Sequence, residues 1–194
     1  MKSLPTSYTA ARKWGIILLL ALASLGAALL SMSFGSTQVP FSEILTALMG
    51  GETQAYNIVV YARLPRTLAA LLCGSALAVG GVIIQGVLGN PLAGPNIIGV
   101  DAGAGLGAVL CAALIPTSMT AVPVAAFLGA LGACMLVYTL ARRTGASRIT
   151  LVLAGVAISS MLSAAIDAVS ILFPEAALGA GSFMVGRLSG VTVA

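Results

Sequence analysis

The stretch from Arg63 to Gly107 reads RLPRTLAALLCGSALAVGGVIIQGVLGNPLAGPNIIGVDAGAGLG. It begins with a basic, proline-marked segment, Arg63-Leu64-Pro65-Arg66, which a long apolar run follows. Next comes a segment rich in proline and glycine, residues 89–95 (Gly-Asn-Pro-Leu-Ala-Gly-Pro), called the hinge from here on. A second apolar run then carries glycine at every fourth position, at Gly99, Gly103 and Gly107. Two helices joined by the hinge, one with a face flattened by glycine, are the pattern around which we expect the rest of the chain to be arranged.

The composition of the chain excludes a water-soluble domain. Hydrophobic residues make up 59% of the sequence and charged residues 7%, whereas a soluble domain carries about a quarter charged residues. A chain of this kind uses the bilayer as its solvent, so its backbone groups must be paired internally. The apolar runs have the length of membrane helices and show no period-two alternation. The predicted fold is therefore all-α, a polytopic membrane helical bundle.

We expect about five transmembrane helices in a single transmembrane domain over residues 1–194. A short interfacial helix capped by Ser42 is predicted over 42–48, and Pro65 is expected in the first turn of the second long helix. The run from Trp14 could instead be a signal peptide, but it is longer than a typical signal-peptide core, and we expect it to be retained. The tail, 175–194, is expected to be a loop or a short helix. The predicted spans are 14–34, 65–88, 97–115, 122–140 and 149–173.

The residue types that are missing exclude several classes of chemistry. The sequence has no histidine, and its only lysines are Lys2 and Lys13, so it holds neither a Ser-His pair nor a GxxxxGK phosphate-binding loop. The three cysteines lie singly in apolar runs, where small buried hydrophobes are a better interpretation than metal or redox sites. The basic residues are spread along the chain, which disfavours nucleic acid as a partner. We predict no enzyme activity, no cofactor and no metal site in this chain.

Counting lysine and arginine in the loops predicts the orientation. Five spans place the N-terminus, the hinge and the 141–148 turn on one side with six basic residues, against three on the other side. The six-residue side is predicted to be the cytoplasm, so Arg63 and Arg66 face outward, against the usual trend. That exception favours a docking role for the pair, with a plain interfacial anchor as the alternative. The six are residues 2, 12, 13, 142, 143 and 148, and the three are 63, 66 and 187.

The fifth predicted helix carries small and polar residues every fourth position: Gly155, Ser159, Ser163 and Asp167. This spacing places them on one stripe of the helix. The stripe is interpreted either as the lining of a polar pathway or as a helix contact with serines bonded back to carbonyls one turn earlier. A carboxylate at membrane depth is costly unless paired or wetted, so Asp167 favours a pathway or a partner contact. Asp101, in a first helical turn, is explained by the helix dipole alone.

The hinge allows a structural and a functional interpretation, whereas the glycine repeat indicates helix packing only. Non-helical backbone near membrane depth persists only where protein or water covers it. The hinge is thus either a plain loop or a cytoplasmic gate that shifts without melting a helix. Gly99, Gly103 and Gly107 form two overlapping GxxxG steps, which indicate close helix packing.

In several of the motifs described above, the sequence resembles the permease family of type II ABC importers (FecCD-type), which carry iron–siderophore chelates, haem or cobalamin. The resemblance runs in order over about residues 35–191. It rests on RLPR at 63–66, Gln85-Gly86, GNPLA at 89–93, GVDAGA at 99–104, LAGVAIS at 153–159 and the stretch from Met184 to Val191.

The resemblance implies a multi-pass protein of the bacterial cytoplasmic (inner) membrane with its N-terminus in the cytoplasm. It implies a second permease subunit in a homodimer or pair, two ATP-binding cassette ATPase subunits and an extracytoplasmic substrate-binding protein as partners, besides membrane lipid. The arginines matching Arg63 and Arg66 would meet acidic residues of the binding protein. The helix of Gly155 would line the pathway of a metal chelate. The loops matching residues 90–92 (Asn90, Pro91, Leu92) and Ala146–Ser147 would lie at the cytoplasmic gate.

Two features depart from the family pattern. The position of Asp101 is more usually serine or asparagine, so no family role is given to it. The chain ends at Ala194, near the middle of a family member, so it resembles an N-terminal part that lacks five helices and the ATPase-coupling helix. We expect a permease for an iron–siderophore chelate, working by alternating access. The alternatives are a haem or cobalamin permease, an ion-coupled secondary transporter titrating Asp167, or a membrane-embedded enzyme, which the missing residue types disfavour.

Overall fold

The computed structural model describes residues 10–35, 37–51, 55–116, 118, 120–143, 147–188 and 191. Within these ranges all regular structure is helical, which confirms the predicted all-α class. The elements are α1 (Ala10–Ser33), α2 (Phe41–Leu48), a π turn (Ile58–Arg63) that continues into α3 (Leu64–Leu88), a 3₁₀ turn (Pro95–Ile98), α4 (Val100–Leu114), α5 (Ala121–Arg143), α6 (Arg148–Leu172) and α7 (Pro174–Met184).

The long helices are the expected membrane spans, with one difference. Four helical segments in the described ranges are long and apolar enough to cross a membrane: Ala10–Ser33, Ile58–Leu88, Ala121–Arg143 and Arg148–Leu172. Only 6% to 22% of the most apolar part of each is buried, so their surfaces are suited to lipid or to further helices. The predicted third span is shorter than expected, because α4 has 15 residues and rises about 22 Å, less than the ~30 Å hydrocarbon core.

The structure divides into two compact units, and the first contains α1, α2, the π turn and the start of α3 (Met1–Leu72 with Leu188–Ala194). Its core lies where α2 and the segment after α1 pack against the π turn. Ile44 and Val59 are almost fully buried there. The prediction that Ser42 caps α2 is wrong. The helix begins after Pro40, whose carbonyl oxygen accepts from the N–H groups of Glu43 and Ile44.

The start of the second long helix also differs from the prediction. Helical backbone begins at Tyr56 and runs on to Leu88, so Pro65 lies inside a continuous helix and not in its first turn. Proline lacks an N–H and its ring crowds the carbonyl one turn earlier. The wider π turn directly before it, in which Leu64 N–H reaches back to the Val59 carbonyl, is a known way for a helix to accommodate such an interruption.

The second unit, Cys73–Arg187, contains most of α3 and all of α4 to α7. Its closest helix pair is α4 and α5, which approach at glycine. A Cβ on Gly103 would lie 2.5 Å from Ala133 Cβ, and a Cβ on Gly107 would lie 2.9 Å from the Ala125 carbonyl carbon. Such contacts let backbones approach closely where apolar attraction between helices is weak.

Gly99 lies at the end of α4 and not inside the helix, where the sequence had predicted it. It has φ of +78°, a left-handed conformation, and sits between the 3₁₀ turn and α4 as the cap of both. Gly99 thus lies at the N-terminal end of α4, and of the two GxxxG steps only Gly103–Gly107 lies wholly within that helix. The tail after Pro174 forms the short helix α7, one of the two forms expected.

Candidate functional site

The polar stripe of α6 divides into two halves with different surroundings. Gly155 is buried, and a Cβ there would collide with the carbonyl oxygen of Ile97 in the 3₁₀ turn. Ser159 is half-buried and donates its Oγ hydrogen bond to the Gly155 carbonyl at 2.8 Å. Ser163 and Asp167, one and two turns further along, are exposed. The first half thus forms a packing contact with a back-bonded serine, whereas the side chains of the second half are exposed.

The 3₁₀ turn after the hinge lies directly on this first half of α6. Gly99 is the second point of contact, since a Cβ there would lie 3.4 Å from Ser159 Oγ. A positive φ and a close neighbour both favour glycine at this position. The 3₁₀ turn with Gly99 and the second and third turns of α6 therefore pack together within the second unit.

A cavity of about 570 Å³, lined by both apolar and polar residues, lies between α4, α6 and the end of α7 in the second unit. Ser159 and Ser163 line it together with Asn96 and Asp101. Asp167 is not among its lining residues. The structure thus places Asp101, which sequence analysis had explained by the helix dipole alone, beside two residues of the predicted pathway. Asn96 had not been singled out; its only sequence signal was an amide next to a proline-rich segment.

The predicted gate residues of the hinge form a tight turn. The Asn90 side-chain Oδ1 accepts from Leu92 N–H at 2.9 Å, and the Asn90 carbonyl accepts from Ala93 N–H at 3.1 Å. Pro91 is exposed and Leu92 is 88% exposed, while Ala93 is buried. The Asn90 side chain stabilises the turn, and the buried Ala93 packs against the protein, so Leu92 is left exposed.

The second predicted gate segment begins α6. Ser147 caps the helix: its Oγ accepts from Thr150 N–H at 3.0 Å. Ala146 lies outside the described residues. Arg148 places its guanidinium against Gly89, whose φ is +61° and whose added Cβ would lie 3.1 Å from Arg148 Cζ. The two segments named as a gate therefore meet through Arg148 and Gly89.

Arg63 and Arg66, the predicted docking pair, have different environments within the first unit. Arg63 is half-buried, and its Nη1 donates to the carbonyls of Met32 at 2.5 Å and Ser33 at 3.1 Å. Its Nη2 donates to the carbonyl of Thr37. Arg66 is exposed, and its Nε donates to the Leu188 carbonyl at 3.1 Å. The sequence had grouped the two arginines as one docking pair, whereas their contacts in the fold differ.

The chemistry available in the described ranges is limited. They contain no group of three histidine, cysteine, aspartate or glutamate side chains that could hold a metal ion. Cys111 is buried as expected of a small hydrophobe, whereas Cys73 is exposed on α3. The arrangement offers hydrogen-bonding side chains at the edge of a cavity of mixed lining.

Long apolar helices and a proline-rich hinge define a multi-pass membrane protein of the helical-bundle class. The chain belongs to the FecCD transport family, whose family model matches residues 18–194.

Among its relatives, the Fe(3+) dicitrate transport system permease protein FecD of Escherichia coli is 36% identical over 92% of this chain and 55% of its own length. The ferric enterobactin transport system permease protein FepG of the same organism is 34% identical over 90% of this chain and 54% of its own. A metal-chelate type ABC transporter solved in an inward-facing conformation matches with a TM-score of 0.67 and 26% identity, over 86% of this chain and 50% of that one. The chain thus spans about half the length of these relatives.

Proposed function

We propose that this chain acts in the permease of an ATP-driven importer for an iron chelate of the citrate or siderophore class. The observation that carries the proposal is the 36% identity to an Fe(3+) dicitrate permease over 92% of the chain. Both relatives described above are named as iron-chelate permeases. The expected partners are ATP-binding cassette ATPase subunits, an extracytoplasmic substrate-binding protein and a second permease subunit.

The orientation proposed is an N-terminus and hinge in the cytoplasm, with Arg63 and Arg66 outside. The arginines and the hinge stand at opposite ends of α3, which spans 25 residues, or about 37 Å. The contact between Arg148 and Gly89 supports a shared side for the hinge and the turn before α6. Arg142 and Arg143 end α5 near that turn, as the excess of basic residues in cytoplasmic loops predicts.

Alternating access is the mechanism that this geometry supports. The exposed Leu92 and the start of α6 at Ser147 would form one side of the cytoplasmic gate. Because the 3₁₀ turn packs on Gly155, we expect the hinge and α6 to move together when the partner ATPases close. Ser159, Ser163 and the cavity that they line would belong to the pathway, whereas Gly155 would hold the pathway helix in place.

Docking of the binding protein is proposed at the outer end of α3. Arg66 is exposed there, and a cation at a protein surface steers association with an acidic partner. The predicted docking surface is defined by Arg63 and Arg66, of which Arg66 is the more exposed.

The decisive experiment reconstitutes the complete importer in liposomes with its ATPase and binding protein and measures uptake of radioactive iron. Ferric citrate and a catecholate siderophore are compared with haem and cobalamin as competitors. We expect uptake that needs ATP and is inhibited by an iron chelate. A matched control carries an ATPase whose phosphate-binding lysine is replaced. Uptake that persists in this control and collapses in an Asp167→Asn variant would instead establish an ion-coupled transporter.

A further inference from the structure

We infer that Asp101 gives the cavity between α4, α6 and the end of α7 a negative potential, which favours an iron chelate of neutral or positive charge over an anionic one. The part concerning the chelate rests on the proposed function and names a substrate class within it. The part concerning the potential rests on the residues that line the cavity. It is carried by the position of one carboxylate among neutral groups.

The cavity exists because α4 has a small residue where its neighbours approach. Gly105 is buried, and a Cβ there would lie 3.0 Å from Ile166 Cδ1 and 3.7 Å from Met184 Cε. All three residues line the cavity, so glycine leaves room between α4 and the side chains of α6 and α7. The volume of about 570 Å³ lies within the ~300 to 1,000 Å³ of small-molecule sites.

The charge of the cavity wall comes from Asp101. It is the charged residue among the lining residues that the structure describes. It is exposed, and an exposed carboxylate is negatively charged at neutral pH. Arg187, three residues beyond Met184 in the sequence, is not among the lining residues. The other polar side chains of the lining are neutral, namely those of Asn96, Ser159 and Ser163.

The helix dipole of α4 reduces this negative charge without cancelling it. Asp101 lies in the first turn of α4, where the dipole is equivalent to about half a positive elementary charge. The full charge of the carboxylate therefore leaves an excess of about half a negative charge at the cavity. The dipole explains why the carboxylate is tolerated at this position, and the excess charge remains to act on a ligand. Like charges brought together at a binding surface disfavour the wrong partner.

The chemistry of iron chelates converts this potential into a preference. Three singly charged hydroxamate groups balance the charge of Fe(III), whereas three doubly charged catecholates, or two citrates, leave the complex anionic. The amide of Asn96 can donate or accept a hydrogen bond. Ser159 Oγ donates to the Gly155 carbonyl, so towards a ligand it can only accept, for example from an amide N–H. The cavity thus suits a hydroxamate chelate with peripheral amides.

The first experiment measures the potential of the cavity without a chelate or a binding protein. Ser163→Cys is introduced into the full chain after its three cysteines are replaced by alanine. The labelling rates with a cationic and an anionic methanethiosulfonate of similar size are then compared in detergent. Asp101→Asn and Asp101→Ser should each lower the ratio of cationic to anionic rate about fivefold, because one negative charge is lost. Asp101→Glu should keep the ratio.

Glu175→Gln is the matched control. Glu175 is also an exposed acid in the first turn of a helix, but it is not among the residues that line this cavity. This variant should change the ratio less than about twofold. High salt should bring the wild-type ratio closer to one, since exposed charges are screened. An unchanged ratio in Asp101→Asn would overturn the inference. So would a Ser163→Cys side chain that neither reagent reaches, which would mean that another helix fills the cavity.

The second experiment tests the chelate class on the complete importer, reconstituted with its ATPase and binding protein. Uptake of radioactive iron as a ferric trihydroxamate and as ferric dicitrate is compared at a saturating concentration of loaded binding protein. Because the binding protein is the same throughout, its own preference cancels when variants are compared. Asp101→Asn should lower the ratio of hydroxamate to citrate uptake about fivefold, and Glu175→Gln should leave it unchanged.

The outcomes separate the inference from the proposed function. Equal uptake ratios in the wild type and Asp101→Asn would refute the selection by charge. If the wild-type importer takes up neither chelate, the proposed function fails, while the labelling experiment still decides whether Asp101 sets the potential of the cavity.

Discussion

Gly155 offers the sharpest test of how α6 is held in the second unit. In Gly155→Ala the new methyl group would collide with the Ile97 carbonyl oxygen, a backbone atom of the 3₁₀ turn that cannot rotate away. Overpacking of this kind costs about 2 to 3 kcal/mol when the neighbour cannot yield. Alanine recovers up to ~1 kcal/mol of helix propensity over glycine. We therefore expect a net loss of about 1 to 2 kcal/mol in the free energy of unfolding.

Gly132→Ala on α5 is the matched control. No atom lies within 4 Å of a Cβ at that position, so the control keeps the gain in helix propensity without the collision. The difference between the two variants isolates the packing cost of about 2 to 3 kcal/mol, which corresponds to about 4 to 12 °C in melting temperature.

Melting is followed in detergent by the reactivity of Cys111, which is buried in the folded protein, with the exposed Cys73 replaced by alanine. We expect Gly155→Ala to melt below the wild type and Gly132→Ala at or above it. If the two variants melt together, the 3₁₀ turn does not pack on α6 as described. The proposed joint movement of hinge and α6 would then lose its basis.

Three further changes test separate contacts. Gly107→Leu should abolish the close approach of α4 and α5, because the Ala125 backbone occupies that space; the readout is a loss of monodisperse protein in gel filtration. Ser31→Ala removes the 3.3 Å contact with Thr67 and should cost only about 0.6 kcal/mol, as interhelical hydrogen bonds in membranes do, seen as a shift of one to a few degrees in melting. Ser147→Ala removes the cap of α6 and should lower the free energy of unfolding by ~1 kcal/mol, measured in the same melting assay. A loss of monodisperse protein like that expected for Gly107→Leu would contradict the local role of the cap.

The positions of the helices could be predicted from the sequence to within a few residues in most cases. The span expected at 149–173 is observed at Arg148–Leu172. The span expected at 122–140 is observed at Ala121–Arg143. Long apolar runs ending at proline, glycine or arginine determine such limits locally. The prediction was wrong where two local effects compete. Pro65 is a typical first-turn residue, yet a π turn before it lets the helix begin earlier.

The roles of single side chains were harder to predict. The four-residue spacing of Gly155 and Ser159 correctly placed them on one stripe, and back-bonding of serine was one of the two interpretations given. Whether that stripe meets water or protein depends on the 3₁₀ turn that lies across it. No pattern within α6 contains that information, since Ile97 belongs to a different part of the chain.

By itself, the sequence determined the helical class, the membrane as solvent, the hinge and the family pattern, because composition and local spacing govern whether a segment forms an apolar helix. The tertiary structure alone decided which groups those helices meet. Arg63 reads in the sequence as an outward charge beside Arg66, and only the folded first unit shows it bound to carbonyls at the end of α1. Partners that lie some thirty residues apart are set by packing between elements, which spacing along one helix does not encode.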